Sequence, residues 1–164
     1  MSAPAPIELP PSPDRRLQPA AIVPWMATGA VTTVAVMLIA GAVSGALGDE
    51  VQWAPPLAWA AVVVYGVLAI IVAPVLRLRT WRYAVRDEEL DLLSGAFVRR
   101  RTIVPMARVQ HVDTRQDALG RLLGLATLNV HTAAARHEIP GLAAADAFAL
   151  RTELARRARV PDDV

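Results

Sequence analysis

The chain has 164 residues, of which 54% are hydrophobic and only 5% aromatic, and it contains no Cys. Its 17 basic residues are all arginines, against 15 acidic residues, which gives a formal net charge of +2. The absence of Cys excludes a disulfide scaffold, thiolate metal sites and a Cys nucleophile. The high apolar content and low net charge exclude a disordered chain, and an apolar fraction this large indicates segments buried in lipid.

The first third of the chain predicts a tail followed by a membrane hairpin. Residues 1–19 are rich in proline and lack apolar periodicity, so we interpret them as a disordered tail. Two uncharged segments follow, and each exceeds the about 20 residues that an α-helix needs to cross a bilayer. They predict a hairpin over 20–76, with helices over about 21–47 and 56–76. A cleaved signal peptide is the competing interpretation of the first segment, but such a peptide has an apolar core of only about 7–15 residues.

The flanking charges predict how the hairpin is oriented. Arg15 and Arg16 precede the first helix and Arg77 follows the second, whereas the turn between the helices carries Asp49 and Glu50. Basic flanks are retained in the cytoplasm, so we expect both termini on the cytoplasmic side. Trp residues prefer the membrane interface and agree with this orientation, two at the inner ends of the helices (Trp25 and Trp81) and two at the outer end (Trp53 and Trp59).

Gly41 and Gly45 have the spacing of small residues that lets two helix backbones approach closely. The spacing favours packing of the two helices within one hairpin. A homo-oligomer formed through Gly41 and Gly45 is the alternative.

Residues 77–160 predict a strand-rich domain that ends in one helix. Alternating polarity between turn residues predicts strands over 81–86, 90–93, 97–104, 108–113, 125–132 and 136–139, with a short helix over 118–123. Pro140-Gly141 closes the last strand in this prediction. The segment from Ala143 to Arg159 contains no Gly or Pro and carries one apolar stripe, formed by Ala147, Leu150, Leu154 and Ala158. A helix with one such stripe can cover the open end of a small curled sheet.

The histidines and serines do not form a recognisable catalytic pattern. His111 and Asp113 share one face of a strand, and His131 can lie on a neighbouring strand, but a metal site needs three or more converging ligands. The sequence lacks HExxH, G-x-S-x-G, a P-loop and a dinucleotide-binding motif. We therefore expect no metal, no cofactor and no enzymatic activity, with structural or surface roles for the histidines.

Arg99, Arg100 and Arg101 form the densest basic cluster in the chain. One interpretation is that these charges protect an edge strand from aggregation. The other is contact with anionic lipid headgroups, together with Arg77 and Arg79, where each basic residue near the surface gains about 1 kcal/mol. Nucleic-acid binding is disfavoured, because acidic residues are interleaved and aromatic residues are few.

An ordered set of short motifs in this domain resembles the bacterial pleckstrin-homology (PH) domain family of YdbS-like membrane proteins. The residues that carry the resemblance are Arg82, Tyr83, Asp87, Gly95, Pro105, Arg108, Gln110, Gln116, Gly124 and Thr132. It covers residues 77–160 and implies a PH-like fold, a small bent β-barrel or sandwich capped by a C-terminal helix. Ala133-Ala134-Ala135 departs from the glycines often found there, so we transfer no ligand from that loop. Inositol-phosphate-binding residues have no matched positions.

The predicted anchor and the resemblance together define the expected function. We expect a multi-pass protein of the bacterial inner membrane with a cytoplasmic PH-like domain, acting as a non-enzymatic module that docks another membrane protein. The resemblance implies a partner with similar PH-like domains, and we expect the module to act in envelope maintenance. An anionic-lipid sensor that uses Arg99, Arg100 and Arg101 is the alternative, and its binding would weaken steeply with salt.

Overall fold

A computed structural model of the protein describes residues 12–47, 54–96 and 98–158. The first eleven residues of the predicted tail, the acidic turn at Asp49 and Glu50, Trp53 and the last two residues of the predicted domain lie outside the described residues.

Two long apolar helices follow a short 3₁₀ turn, Pro19–Ala21. Helix α1 spans Ile22–Leu47. Helix α2 comprises an α-helical part Ala54–Val67, a π-helical turn Leu68–Val72 and a second α-helical part Ala73–Thr80. Both helices are long and apolar enough to cross a bilayer, and few of their residues are buried within the protein. Helix α2 ends at Thr80, four residues later than the sequence predicts.

The π-helical turn brings the two helices into contact. Pro74 lacks the N–H that would donate to the carbonyl four residues earlier, and just before it the N–H of Ala73 donates to the carbonyl of Leu68, five residues back. Gly29 of α1 faces this turn, where a Cβ would collide with the backbone carbonyl of Ala69. Only glycine fits at this approach of the two backbones.

The prediction that Gly41 and Gly45 pack the hairpin is wrong. Among the described residues, nothing lies within 4 Å of a Cβ built on either glycine, whereas Gly29 and Gly66 do meet the opposite helix. Helix α1 has small residues on several faces, so their spacing alone could not identify the face in contact. A homo-oligomer through Gly41 and Gly45 stays a prediction.

The domain consists of two antiparallel sheets closed by a helix. The first sheet has the order β1-β2-β3-β4, with strands Arg15–Arg16, Arg82–Val85, Glu89–Ser94 and Arg100–Pro105. The second has the order β5-β6-β7, with strands Val109–Arg115, Leu125–Thr132 and Arg136–Ala143. A 3₁₀ turn, Met106–Arg108, joins the sheets, helix α3 (Ala118–Leu123) joins β5 to β6, and helix α4 (Ala144–Arg157) follows β7. The predicted PH-like architecture is confirmed.

The core lies between the two sheets and beneath α4. Leu90 of β3, Leu128 of β6 and Ile139 of β7 are fully buried there. The apolar stripe predicted for α4 is confirmed at its three buried positions, Ala147, Leu150 and Leu154. Helix α4 therefore covers the open end of the sheets with the face that the sequence indicates.

Strand β7 continues through Pro140 and Gly141, so the predicted end of the strand at Ile139 is wrong. The pairing of β7 with β6 shifts register between Ala126 and Leu128, opposite this dipeptide. Gly141 takes a left-handed conformation with φ +63°. A bulge of this kind lets an edge strand accommodate Pro and Gly without ending.

The predicted disordered tail is wrong for residues 12–19. Arg15 and Arg16 form β1, which pairs with Tyr83 and Arg82 of β2, and Leu17 is buried in the core. The segment 12–21, called the pre-helical segment below, therefore belongs to the PH-like domain. A two-residue strand between prolines has no periodicity that could reveal it.

The pre-helical segment joins the domain most closely at Gly141. The N–H of Gln18 donates to the carbonyl of Gly141 at 3.1 Å, and a Cβ at Gly141 would collide with the side chain of Ala21. Trp25 and Trp81, at the domain ends of α1 and α2, pack against the core, and the guanidinium of Arg77 lies 4.5 Å from the ring centre of Trp25. Both helices are therefore fixed to the domain where they leave it.

Gly141→Ala tests this attachment, and Gly124→Ala is its matched control. Both glycines are left-handed, with φ +63° and +65°, so each alanine adds strain of about 1–2 kcal/mol. Only at Gly141 does the new methyl group meet a neighbour, Ala21, whereas Gly124 faces open space. In thermal unfolding of the full-length protein in detergent, we expect Gly141→Ala to be less stable than Gly124→Ala by a further about 1–3 kcal/mol. Equal losses would contradict the close approach.

Candidate functional site

The hairpin defines one end of the first sheet as its membrane side. Strand β2 begins two residues after α2 ends, and its first residue, Arg82, pairs with Arg16 of β1 and Leu93 of β3. Leu93 in turn pairs with Arg101 of β4. These residues form one row across the sheet, at the end from which both helices leave.

The β3–β4 hairpin turns on this membrane side. Ser94 pairs with Arg100 at its base, and Gly95, with φ +104°, lets the chain turn where a side chain would collide with the carbonyl of Val98. Val98 is 81% exposed, and Arg99 and Arg100 are exposed beside it. Within the described parts of the chain, neither arginine has an ion-pair partner. The tip therefore presents an apolar side chain and two unpaired guanidinium groups.

Four of the five arginines predicted to contact lipid or a partner are exposed on the membrane side. Arg77 and Arg79 lie in the last turn of α2, and Arg99 and Arg100 lie at the hairpin tip. The register of the first sheet places the tip at the same end of the domain as the helix. No sequence pattern could show that the tip lies on the membrane side, because its position depends on how the strands pair.

Arg101, the fifth of these arginines, is used differently. Its Nε lies 3.0 and 3.2 Å from the two carboxylate oxygens of Asp91. Asp91 is fully buried, and a second guanidinium, that of Arg86, lies 3.6 Å from it. Because a buried carboxylate needs paired charge, Arg101 holds the first sheet together and is not free to bind a ligand.

The opposite end of the first sheet is acidic. The β2–β3 turn contains Asp87 and Glu88, and Glu89 begins β3. The side chain of Asp87 is 97% exposed. Four residues of β2 separate this turn from the membrane side, or about 13 Å. Arg99 and Arg100 thus lie at one end of the sheet, and the exposed carboxylates of Asp87 and Glu88 lie at the other.

The outer face of the second sheet carries a hydrogen-bonded polar ladder. Asp113 accepts from the amide of Asn129 at 2.6 Å and lies 3.0 Å from Nε2 of His131, and Arg136 donates to the Asn129 amide oxygen at 2.9 Å. The hydrogen bond from Asn129 holds the pKa of the Asp113 carboxyl below its usual value, and His131 and Arg136 act in the same direction. His131 lies opposite His111, with ring centres 5.9 Å apart.

The predicted neighbourhood of the two histidines and Asp113 is therefore confirmed by the pairing of β5 with β6. In the described part of the chain, no three His, Asp or Glu side chains are grouped so that they could hold a metal ion. The ladder satisfies its own hydrogen bonds, which is the chemistry expected of a structural element.

Two concave surfaces border the second sheet. A cleft of about 350 Å³ separates its outer face from the first turns of α1, with Trp25 and Thr28 on one wall and Arg115 and Arg136 on the other. A groove of about 460 Å³ lies between α4 and β5 and is lined by Val112, Arg151, Thr152, Ala155 and Arg156. We call this second surface the β5–α4 groove.

The ten residues that carry the family resemblance serve mostly to build the fold. Tyr83 is buried, and this burial raises its pKa. Gln116 donates to the carbonyl of Leu125 at 2.9 Å, Gly124 ends α3 in a left-handed conformation, and Thr132 closes the β6–β7 turn through hydrogen bonds with Ala135. The others lie in strands or in turns at the surface, namely Arg82, Asp87, Gly95, Pro105, Arg108 and Gln110.

The β6–β7 turn does not require glycine at the positions of its three alanines. The hydroxyl of Thr132 donates to the carbonyl of Ala135 and accepts from its N–H, at 2.9 and 3.1 Å. No described residue other than glycine has a positive φ, so all three alanines keep ordinary backbone conformations.

Sequence reasoning missed Asp91. The signal available was a lone carboxylate inside the apolar run Leu90-Asp91-Leu92-Leu93. An acid that interrupts a strand in this way indicates either exposure or a buried ion pair, and only the pairing of β3 with β4 shows which of the two applies.

The fold therefore defines a class of protein, namely membrane proteins in which a helical hairpin carries a PH-like domain. The profile of the family described as Bacterial PH domain matches residues 22–158, which include both long helices. The chain belongs to this family.

One relative supports the membrane assignment. The UPF0699 transmembrane protein YdbS of Bacillus subtilis (strain 168) is 46% identical over 97 residues, which are 59% of this chain and 61% of that relative. The match thus spans less than two thirds of the relative's length. No solved structure matches the chain. The resemblance to YdbS-like membrane proteins is confirmed.

Asp91→Asn tests the buried ion pair. Removing the carboxylate leaves Arg101 and Arg86 without their common partner, and breaking a buried pair costs about 3–5 kcal/mol. The control is Glu153→Gln on α4, which breaks the more exposed ion pair with Arg157 and is expected to cost less than about 1 kcal/mol. Chemical unfolding of the full-length protein in detergent gives both values. Similar losses in the two variants would show that Asp91 does not have this role.

Proposed function

We propose that the protein is a membrane-anchored, non-enzymatic module that docks a second membrane protein at the inner face of the bacterial membrane. The observation that supports the proposal is the attachment of the domain to both helices. Ala21, just before α1, lies against Gly141, and Trp25 of α1 and Trp81 at the end of α2 pack against the core. A domain held in this way presents the same lateral surfaces to every neighbour in the membrane.

Confinement to the membrane strengthens such docking. Two proteins restricted to one plane meet at a high effective concentration, so contacts that are weak in solution become sufficient. A partner with a similar hairpin and PH-like domain would hold its own domain at the same height above the lipid. The two domains would then face each other without any rearrangement of either chain.

The arginines next to the hairpin support a position of the domain at the inner face of the membrane. Arg16 precedes α1, and Arg77 and Arg79 end α2, so the basic residues flank the hairpin on the domain side. Because basic residues at the ends of membrane helices are preferentially retained in the cytoplasm, this distribution supports a cytoplasmic domain in the proposal.

Co-purification tests the docking function. We expect the tagged full-length protein, gently solubilised from native membranes, to retain a stoichiometric membrane protein that mass spectrometry identifies. A tagged chain that ends at Thr80 keeps the hairpin but lacks most of the domain, and we expect it to lose this partner. Recovery of the full-length protein alone, or equal recovery of the partner by the shortened chain, would contradict docking by the domain.

A second candidate function is binding of anionic lipid headgroups, and the charge distribution of the first sheet favours it. Arg99 and Arg100 lie on the membrane side without an ion-pair partner among the described residues, whereas the acidic turn at Asp87 lies at the far end. The inner leaflet is negatively charged and attracts basic residues near its surface. Val98, which is exposed beside them, would add apolar contact with the interface.

Depth-dependent fluorescence quenching tests headgroup contact. Because the chain has no Cys, Val98→Cys and Asp87→Cys each accept a single label on opposite ends of the sheet. In vesicles with anionic lipid, we expect a headgroup quencher to reach the label at 98 but not the label at 87. Arg99→Gln with Arg100→Gln should weaken the surface contact by about 2 kcal/mol, whereas Arg108→Gln should have no effect. Equal quenching at both positions would contradict the proposal.

A further inference from the structure

We infer that the β5–α4 groove binds an extended acidic segment of the partner protein, which adds to β5 as an extra strand. This inference rests on the proposed docking function and names the surface and the chemistry that docking would use.

Strand β5 offers a free edge. It lies at one end of the order β5-β6-β7 and, among the described residues, pairs with no strand other than β6, so the backbone groups on its other side can accept a further strand. The opposite edge of this sheet is less available, because Gln18 of the pre-helical segment already donates to Gly141 of β7.

The groove beside this edge is cationic. Its lining contains Arg151 and Arg156 and no carboxylate, and neither arginine has an ion-pair partner among the described residues. The acidic residue between them on α4, Glu153, is bound to Arg157 at 2.7 Å. A ligand segment that carries carboxylates would supply the missing partners.

The dimensions of the groove suit a strand. Thr152 and Ala155 are small and leave space between the two arginines. Arg151 and Arg156 are five residues apart, which is a rise of about 7.5 Å along α4. Alternate residues of a strand face the same side at intervals of about 6.7 Å, so two acidic side chains at alternate positions have nearly the same spacing as the two arginines have along the helix axis.

An exposed aromatic ring lies on α4 just before the residues that line the groove. Phe148 of α4 is 45% exposed, and the guanidinium of Arg151 lies 5.6 Å from the centre of its ring. Aromatic residues and arginine are both enriched at protein interfaces, so a docked segment that extends past Arg151 would gain contact with this ring.

The direction of α4 relates the groove to the membrane. At the start of the helix, Ala144 donates to the carbonyl of Gly124, close to α3, where Gly120 lines the cleft beside Thr28 of α1. At its end, Arg157 contacts Asp87 in the acidic turn at the far side. The groove therefore runs from the membrane side outward, along the path of a segment that leaves the bilayer beside this protein.

The test uses the full-length protein in nanodiscs and a fluorescent synthetic peptide of alternating Thr and Glu, with a Lys-for-Glu peptide as control. We expect the Glu peptide to bind, the Lys peptide not to bind, and the Glu peptide to protect the amides of 109–115 from hydrogen exchange. Arg151→Gln with Arg156→Gln should weaken binding about tenfold at low salt, whereas Arg99→Gln with Arg100→Gln should not. Equal binding to both protein variants, or protection that is absent from β5, would overturn the inference.

Co-purification of the same variants separates this inference from the proposed function. Loss of the partner only in the Arg151 and Arg156 variant supports the groove as the docking site. A partner that this variant retains in full overturns the groove and leaves the docking function in place. Peptide binding at β5 by a protein that recovers no partner from membranes overturns the docking function and leaves the groove as a binding site.

Discussion

The contact between Ala21 and Gly141 joins residues that precede the first membrane helix to a strand that follows the second. Gly141 has no side chain and a left-handed backbone, which is why Ala21 can lie against it. The same segment contributes β1 to the first sheet and Leu17 to the core. The PH-like domain is therefore assembled from two separate parts of the chain, with the hairpin inserted between them. The family profile covers both helices and the part of the domain that follows them, and it begins directly after the pre-helical segment.

The attachment gives the charges of the domain a fixed direction. Because both helices leave from one end of the first sheet, the exposed arginines of the β3–β4 hairpin are held on the membrane side and the acidic turn is held away from it. Arg101 differs from its neighbours Arg99 and Arg100 because it pairs with the buried Asp91, which gives it a structural role. On the lateral surface, the edge of β5 lies beside Arg151 and Arg156 of α4, and neither arginine has an ion-pair partner in the described part of the chain.

Much of this architecture could be predicted from the sequence. The uncharged runs located both helices because charge is too costly within lipid, and alternating polarity with turn residues located the strands of the second sheet. The stripe of α4 was predictable for the same reason, since its spacing reflects one buried face. The order of motifs from Arg82 to Thr132 then predicted the family.

The parts that could not be predicted depend on contacts between distant residues. Arg15 and Arg16 form a strand only because β2 provides the partner, and no local pattern marks two residues as a strand. Arg99 and Arg101 look equivalent in sequence, and only the position of Asp91 on the adjacent strand distinguishes them. Gly29, rather than Gly41, meets the second helix because the π-helical turn before Pro74 lies opposite it. Strand β7 passes Pro140 because β6 shifts register there.

The most direct test of the central claim is the distance between the domain and the first helix, measured by pulsed electron paramagnetic resonance on the full-length protein in nanodiscs. Val31 on α1 and Ala134 in the β6–β7 turn are exposed, and the Cys-free chain allows a spin label at each through Val31→Cys and Ala134→Cys. A domain fixed by the pre-helical segment predicts a single narrow distance distribution. A broad or multiple distribution would mean that the domain swings on its anchor, and would contradict the account.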